Sequence, residues 1–250
     1  MRPENKRLVF PLLALFALGA VIVRQKDDKA AEKPTSPAPV VTAAPNVPLS
    51  AHVVADGATE NLRASIALKE LIQTHPEKEI RVDLHQLLTS GQIYPNYQES
   101  LGSGGSAIAT VLWVNLPGKG ESLVFSFNRS GLLDPKLTTS YKQLVIYHEW
   151  THVKQQRAGT YPKSLTYASA TDVMTSESSV RLTFEAEAEA YTAECGLAVR
   201  IKTVDEAPFC RTLVDRGEPA FREEMARTFA GLAIYANHRE TLLRVARRTL

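Results

Sequence analysis

The run His148-Glu149-Trp150-Thr151-His152 carries two histidines four residues apart. On a helix they fall about 40° apart on one face, one turn above the other. Two imidazoles so placed can bind one metal ion together. Glu149 projects beside them, close enough to take a proton from a metal-activated water without being a ligand itself. These three side chains predict metal-assisted activation of water.

The flanking residues favour a buried helix. Tyr141, Leu144, Val145, Ile146 and Tyr147 lead into the motif, Thr138 or Thr139 can cap the helix, and nothing breaks it before Gly159. Trp150, Thr151 and Val153 are uncharged, as a metal-bearing helix in the interior requires. The plainer alternative is an amphipathic helix with solvated histidines.

A catalytic zinc site has three protein ligands and a place for water, so one ligand must come from elsewhere. The Ala- and Glu-rich run Arg181 to Tyr191 is a strong helix former and holds Glu185, Glu187 and Glu189. With Phe184 set at zero, Glu187 falls at about 300°, Tyr191 at about 340° and Cys195 at about 20°. Glu185 and Glu189 fall at about 100° and 140°, away from that apolar stripe. A carboxylate beside an apolar stripe is costly unless a cation or a metal meets it. The expected ligands are therefore His148, His152 and Glu187, with Glu185 and then Glu189 as alternatives for the third.

His148-Glu149-Trp150-Thr151-His152 followed by Glu187-Ala188-Glu189-Ala190-Tyr191 resembles the gluzincin metallopeptidases. The third ligand of that family is a Glu on a second helix, the first Glu of a Glu-x-Glu-Ala-Asp/Tyr string. The resemblance covers residues 138–200 and implies that Glu187 is that ligand. Tyr191 stands where the family usually has an orienting Asp, and Lys154 where its extended pattern prefers an apolar residue. The resemblance also implies an active-site helix, a ligand helix and a sheet whose edge strand lines the cleft. The expected fold class is thus α+β and zincin-like, mostly helical with a small sheet. The expected activity is Zn²⁺-dependent hydrolysis of amide bonds in a peptide or protein substrate, with Glu149 as general base. Two alternatives stay open: a zinc-containing binding or assembly protein of the cell envelope without turnover, and a hydrolase of cell-wall peptide. Intact Glu149 speaks against the first, because a binding site needs no base.

Elsewhere the pattern is coarser. Leu62, Ile66, Leu68, Leu71 and Ile72 recur at helical spacing and predict a helix over 59–74, with a short second helix over 82–88. Residues 92–105 read as a loop, in which Gly102-Ser103-Gly104-Gly105 is a turn rather than a phosphate loop, since no Lys-Ser/Thr follows. Strands are expected over 107–116 and 122–128, joined as a hairpin through Pro117-Gly118-Lys119-Gly120. From Thr138 onward the chain is expected to be mostly helical, and 218–250 to form one or two scaffold helices. Tyr161 and His238 are candidate oxyanion donors. His52, His75 and His85 have no partner pattern.

The chain has 250 residues, 44% hydrophobic and 22% charged, with a formal net charge of +2. That suits one sizeable core, and no basic run interleaved with aromatics points to nucleic acid. Arg2, Lys6 and Arg7 precede an uncharged apolar run from Leu8 to Val23. The run is shorter than the about 20 residues of a spanning helix and fits a short signal anchor or a signal peptide. Pro34, Pro37, Pro39, Pro45 and Pro48 then mark a Pro/Ala-rich tether. The expected organisation is anchor over 1–23, tether over 24–48 and metallohydrolase domain over 49–250. Cys195 and Cys210, the only cysteines, form a natural disulfide in an exported domain. The expected location is the cell envelope, single-pass with an extracytoplasmic (periplasmic) domain, or secreted if the segment is cleaved.

Overall fold

The computed structural model describes residues 55–99, 101, 108–116, 118–161, 176–231 and 233–247. It is a mixed α/β chain, mostly helical, with one three-stranded sheet. Helix α1 spans Ala55–Gln73. A π-helical turn, Ile80–Leu84, leads into the short α2, His85–Thr89. Of the apolar residues expected to drive α1, Leu68, Leu71 and Ile72 are buried with Ala64, whereas Leu62 and Ile66 are 62% and 59% exposed. Residues 64, 68, 71 and 72 follow the helical repeat, and 62 and 66 fall on the opposite flank.

The sheet has the order β1-β3-β2. Strands β2 (Ala109–Leu116) and β3 (Gly120–Asn128) form the expected antiparallel hairpin. Gly118 and Gly120 both have φ 73°, a turn conformation that side chains rarely adopt. Strand β1, Ile93–Gln98, replaces part of the expected loop 92–105 and pairs parallel with β3. Pro95 hid it: proline cannot donate to a ladder and is tolerated only because β1 is an edge. Tyr97 stacks on Phe127 at 6.0 Å, and Phe127 on Phe125 at 4.4 Å.

A short α3, Arg129–Leu133, returns the chain to the long helices. α4, Thr139–Ala158, is capped by Thr138, whose side chain accepts from the Tyr141 amide, and ends at Gly159 with φ 70°. α5, Glu177–Arg200, starts where Ser176 accepts from the Ser179 amide. α6, Cys210–Ala230, breaks at Gly217 (φ 81°), and Pro219 sits two residues later, where a first-turn proline is allowed. A 3-10 turn, Ala233–His238, and α7, Arg239–Arg247, complete the helices. The core runs from α1 through the inner sheet face to α4, α5, α6 and α7. The disulfide Cys195–Cys210 fastens the end of α5 to the start of α6. Closing a loop across that separation of 15 residues stabilises by roughly 3 kcal/mol on the loop-entropy account.

The expected single-pass anchor and envelope location need correction. Among the described residues no helix is long and apolar enough to cross a membrane. The long helices fail on charge: α5 alone carries Glu177, Arg181, Glu185, Glu187, Glu189, Glu194 and Arg200. The run from Leu8 to Val23, the tether over 24–48, His52 and the Gly102–Gly105 turn lie outside the described residues.

Candidate metal centre

Every residue of the central motif is buried: His148, Glu149, Trp150 and Thr151 are at most 4% exposed and His152 is 7% exposed. α4 packs along α5, and Phe184, Glu187, Tyr191 and Cys195 are all buried: Glu187 and Tyr191 meet the α4 histidines, whereas Phe184 and Cys195 meet Phe229 and Cys210 of α6. The structure brings His148, His152 and Glu187 together as a group able to hold a metal ion. Glu185 and Glu189 are elsewhere. Glu185 pairs with Arg222 at 2.7 Å, and Glu189 accepts from the Gln155 amide at 2.8 Å.

Two further residues set the geometry, and neither was expected. Glu194 Oε2 lies 3.1 Å from His148 Nδ1, and Gln155 Oε1 lies 2.8 Å from His152 Nδ1. Gln155 is itself fixed, its amide nitrogen donating to the Ala186 carbonyl at 3.0 Å and to Glu189. An Nδ1–H donated to each acceptor leaves both Nε2 lone pairs free. Those two nitrogens face each other at 3.2 Å. Glu194 had a sequence signal: seven residues after Glu187, it returns to the same helix face. Tyr191 does not take the orienting role of the Asp it replaces. Its ring packs edge-on against His148 at 4.4 Å and against Phe209 at 5.4 Å.

The donor set fits a small tetrahedral cation. Ligand bonds of 2.0–2.1 Å imply donor separations of about 3.3–3.4 Å. Here the nearest separations are 3.2 Å between the two Nε2 atoms, 3.5 Å from His148 Nε2 to Glu187 Oε2, and 3.6 Å from His152 Nε2 to Glu187 Oε1. Glu187 Oε2 is buried and has no hydrogen-bond partner. A buried carboxylate oxygen without a donor is costly, and a cation at this point satisfies it.

The charges agree. Burial opposes protonation of His148, yet the facing Glu187 and Glu194 carboxylates overcome it and lift its pKa to about 10. His152 is raised in the same way, against burial, by Glu187. Burial would raise Glu187, but His152 and His148 pull it down to about 2. Glu149 is pushed up to about 7 by burial, against the pull of the same two rings. Three buried carboxylates around two imidazoles favour added positive charge, which ring protons or a metal ion in their place would supply.

Lys154, out of place in an apolar pattern, turns outward to Glu79 at 3.2 Å. Trp113 Nε1 on β2 donates to Gln156 Oε1 at 2.7 Å, which ties the edge strand to α4. Tyr161 is buried, its ring centroid 6.2 Å from that of His152. His238 ends the 3-10 turn and His75 is buried against α4, neither within the metal-holding group, and His85 opens α2. Compared with known proteins, the chain matches no family model, no curated protein and no solved structure.

Proposed function

We propose that this chain is a zinc-dependent hydrolase of amide bonds in peptides, a zincin-like enzyme of the gluzincin type. One observation carries the reading. Gln155 and Glu194 hold the two Nδ1 atoms, so both Nε2 atoms and an unsatisfied Glu187 oxygen converge beside the buried carboxyl of Glu149. Two imidazoles and one carboxylate are the donor set of catalytic zinc in several hydrolases. His148, His152 and Glu187 would hold the ion, which would supply Lewis-acid polarisation of a carbonyl and lower the pKa of water towards neutrality.

The chain's own residues do the rest. Glu149 takes the proton from the attacking water and passes it to the leaving nitrogen. A buried carboxyl pushed up to about 7 suits both halves of that transfer. Gln155 and Glu194 keep the rings in one orientation. Tyr161, with its ring centroid 6.2 Å from that of His152, is the candidate hydroxyl to steady the developing oxyanion.

Elemental analysis of the purified chain tests the metal, with about one zinc per chain expected. Glu149→Gln tests catalysis: it should retain zinc yet lose roughly 100-fold or more of peptide turnover, since an amide cannot accept the proton. No transition metal after zinc is supplied overturns the reading. Full zinc with no amide hydrolysis by the parent leaves a metal-containing binding protein instead.

A further inference from the structure

A cleft of about 580 Å³ opens between the end of α4, the exposed flank of α5 and the second half of α6. It shares Gln155, Tyr161 and Ala186 with the surroundings of the metal centre. Gln155 belongs to both, since one end of its amide orients His152 and the other holds Glu189. The cleft and the metal centre therefore share a wall, at Gln155, Tyr161 and Ala186.

The cleft is built for positive charge. Glu185, Glu189 and Glu218 line it, against one guanidinium, Arg222. Arg222 is 5% exposed and already committed: its Nη2 donates to Glu185 at 2.7 Å, and its guanidinium lies 5.3 Å from the Phe184 ring centroid. It thus acts from behind as a clamp on Glu185, whose own side chain is 39% exposed. Glu189 is held in the same manner by the Gln155 amide. Each carboxylate is fixed by one donor and retains acceptor capacity for another. Fixed carboxylates lose little freedom when they receive a cation, which favours binding. Ala186, Ala188 and Ala193 supply small apolar walls suited to an aliphatic stem.

We propose that this cleft receives the guanidinium of an arginine or the ammonium of a lysine, carried by the peptide that the metal centre cleaves. Calling the occupant a substrate rests on the hydrolase reading; its charge selectivity does not. Glu189 and Glu218 are the residues that discriminate, and Arg222 positions Glu185.

Two fluorescein-labelled amidated peptides, Ala-Ala-Arg-Ala-Ala and its counterpart with neutral citrulline, test this by anisotropy on the full chain in a Glu149→Gln background. The arginine peptide should bind roughly fivefold more tightly, with the margin shrinking as salt is raised. Glu189→Gln with Glu218→Gln should bring the two affinities within about twofold, since the amide keeps the Gln155 hydrogen bond but removes the charge. Both positions are exposed, and a thermal melt verifies folding of the double variant. Equal binding of the two peptides, binding of neither, or a preference that survives the double variant overturns the proposal. Incubating the same peptides with the zinc-loaded parent separates the two readings. Arginine-selective binding without cleavage removes the hydrolase and keeps the cleft. Cleavage of both peptides alike, with equal binding, removes the cleft and keeps the hydrolase.

Discussion

The Nε2 atoms of His148 and His152 stand 3.2 Å apart, with the rings meeting edge-on at 75°. Two nitrogen lone pairs at that distance repel unless a proton or a cation lies between them. A metal ion that binds only the folded chain must therefore stabilise it. Zinc at 100 times its dissociation constant should add about 2.7 kcal/mol to stability by mass action. Thermal melts of chelator-stripped protein, with and without zinc, measure the shift. His152→Ala should abolish it, and an equal shift in that variant would place the metal elsewhere.

Glu185 is not the inert surface residue that its angle on α5 suggests. It partners Arg222, which is 5% exposed. Glu185→Ala leaves that guanidinium without its carboxylate, at a cost of roughly 1–3 kcal/mol, reduced from the fully buried case because Glu185 is partly solvated. Arg222→Met in the same chain should recover part of the loss. Denaturant melts of the single and double variants read both effects, and a silent Glu185→Ala would show that the pair contributes nothing.

His75 predicts acid sensitivity. Its Nε2 lies 3.0 Å from the Gln143 carbonyl, and its Nδ1 accepts from the Glu77 amide at 3.1 Å. Both nitrogens are in use by the neutral ring. Burial lowers its pKa below the usual 6.5, and Arg81 adds to this, although Glu77 and the Gln143 carbonyl pull the other way. The folded chain thus takes up this proton less readily than the unfolded one. The contribution is fully present above about pH 6.5 and fades as pH falls through the lowered value. Compared with the parent, His75→Gln should lose less stability between pH 7 and 5 in urea melts at each pH. Parallel pH curves would show that His75 does not titrate on unfolding.

That His148, His152 and Glu187 would come together was legible because helical angles are local. The spacing of His148 and His152, and the stripe of Phe184, Glu187 and Tyr191, need no knowledge of the fold. The hairpin was legible through its Gly-rich turn. Strand β1 was not, since its strand character comes from pairing with β3, distant in sequence, and Pro95 argues against it locally. The role of Gln155 was equally hidden, because only the approach of α5 gives its amide the Ala186 carbonyl and Glu189 to hold. Glu194 was readable on the same helical wheel as Glu187, but its meaning depends on how far α4 and α5 run side by side. The Arg222–Glu185 pair joins elements that sequence patterning treats separately.

The three glutamates Glu187, Glu194 and Glu189 should rank in that order for zinc. Glu187 faces both Nε2 atoms, and its Oε2 is buried with no other partner. Glu187→Ala leaves only two imidazoles, so most of the affinity should go. Glu194 faces Nδ1 of His148 and cannot reach the shared point from that side of the ring. Its part is to fix the tautomer and make Nε2 more basic, and Glu194→Ala should cost about 10–100-fold in affinity. Glu194→Gln should recover part of this, because its carbonyl oxygen still accepts from Nδ1–H but carries no charge. Glu189 acts one step further out, through Gln155, which also holds the Ala186 carbonyl. Glu189→Ala should therefore weaken zinc by less than about tenfold, at the low end for an outer partner. Competition with a chromogenic chelator ranks the variants on one scale. If Glu194→Ala loses more zinc than Glu187→Ala, the third ligand is Glu194, and His148 must then present Nδ1 to the metal.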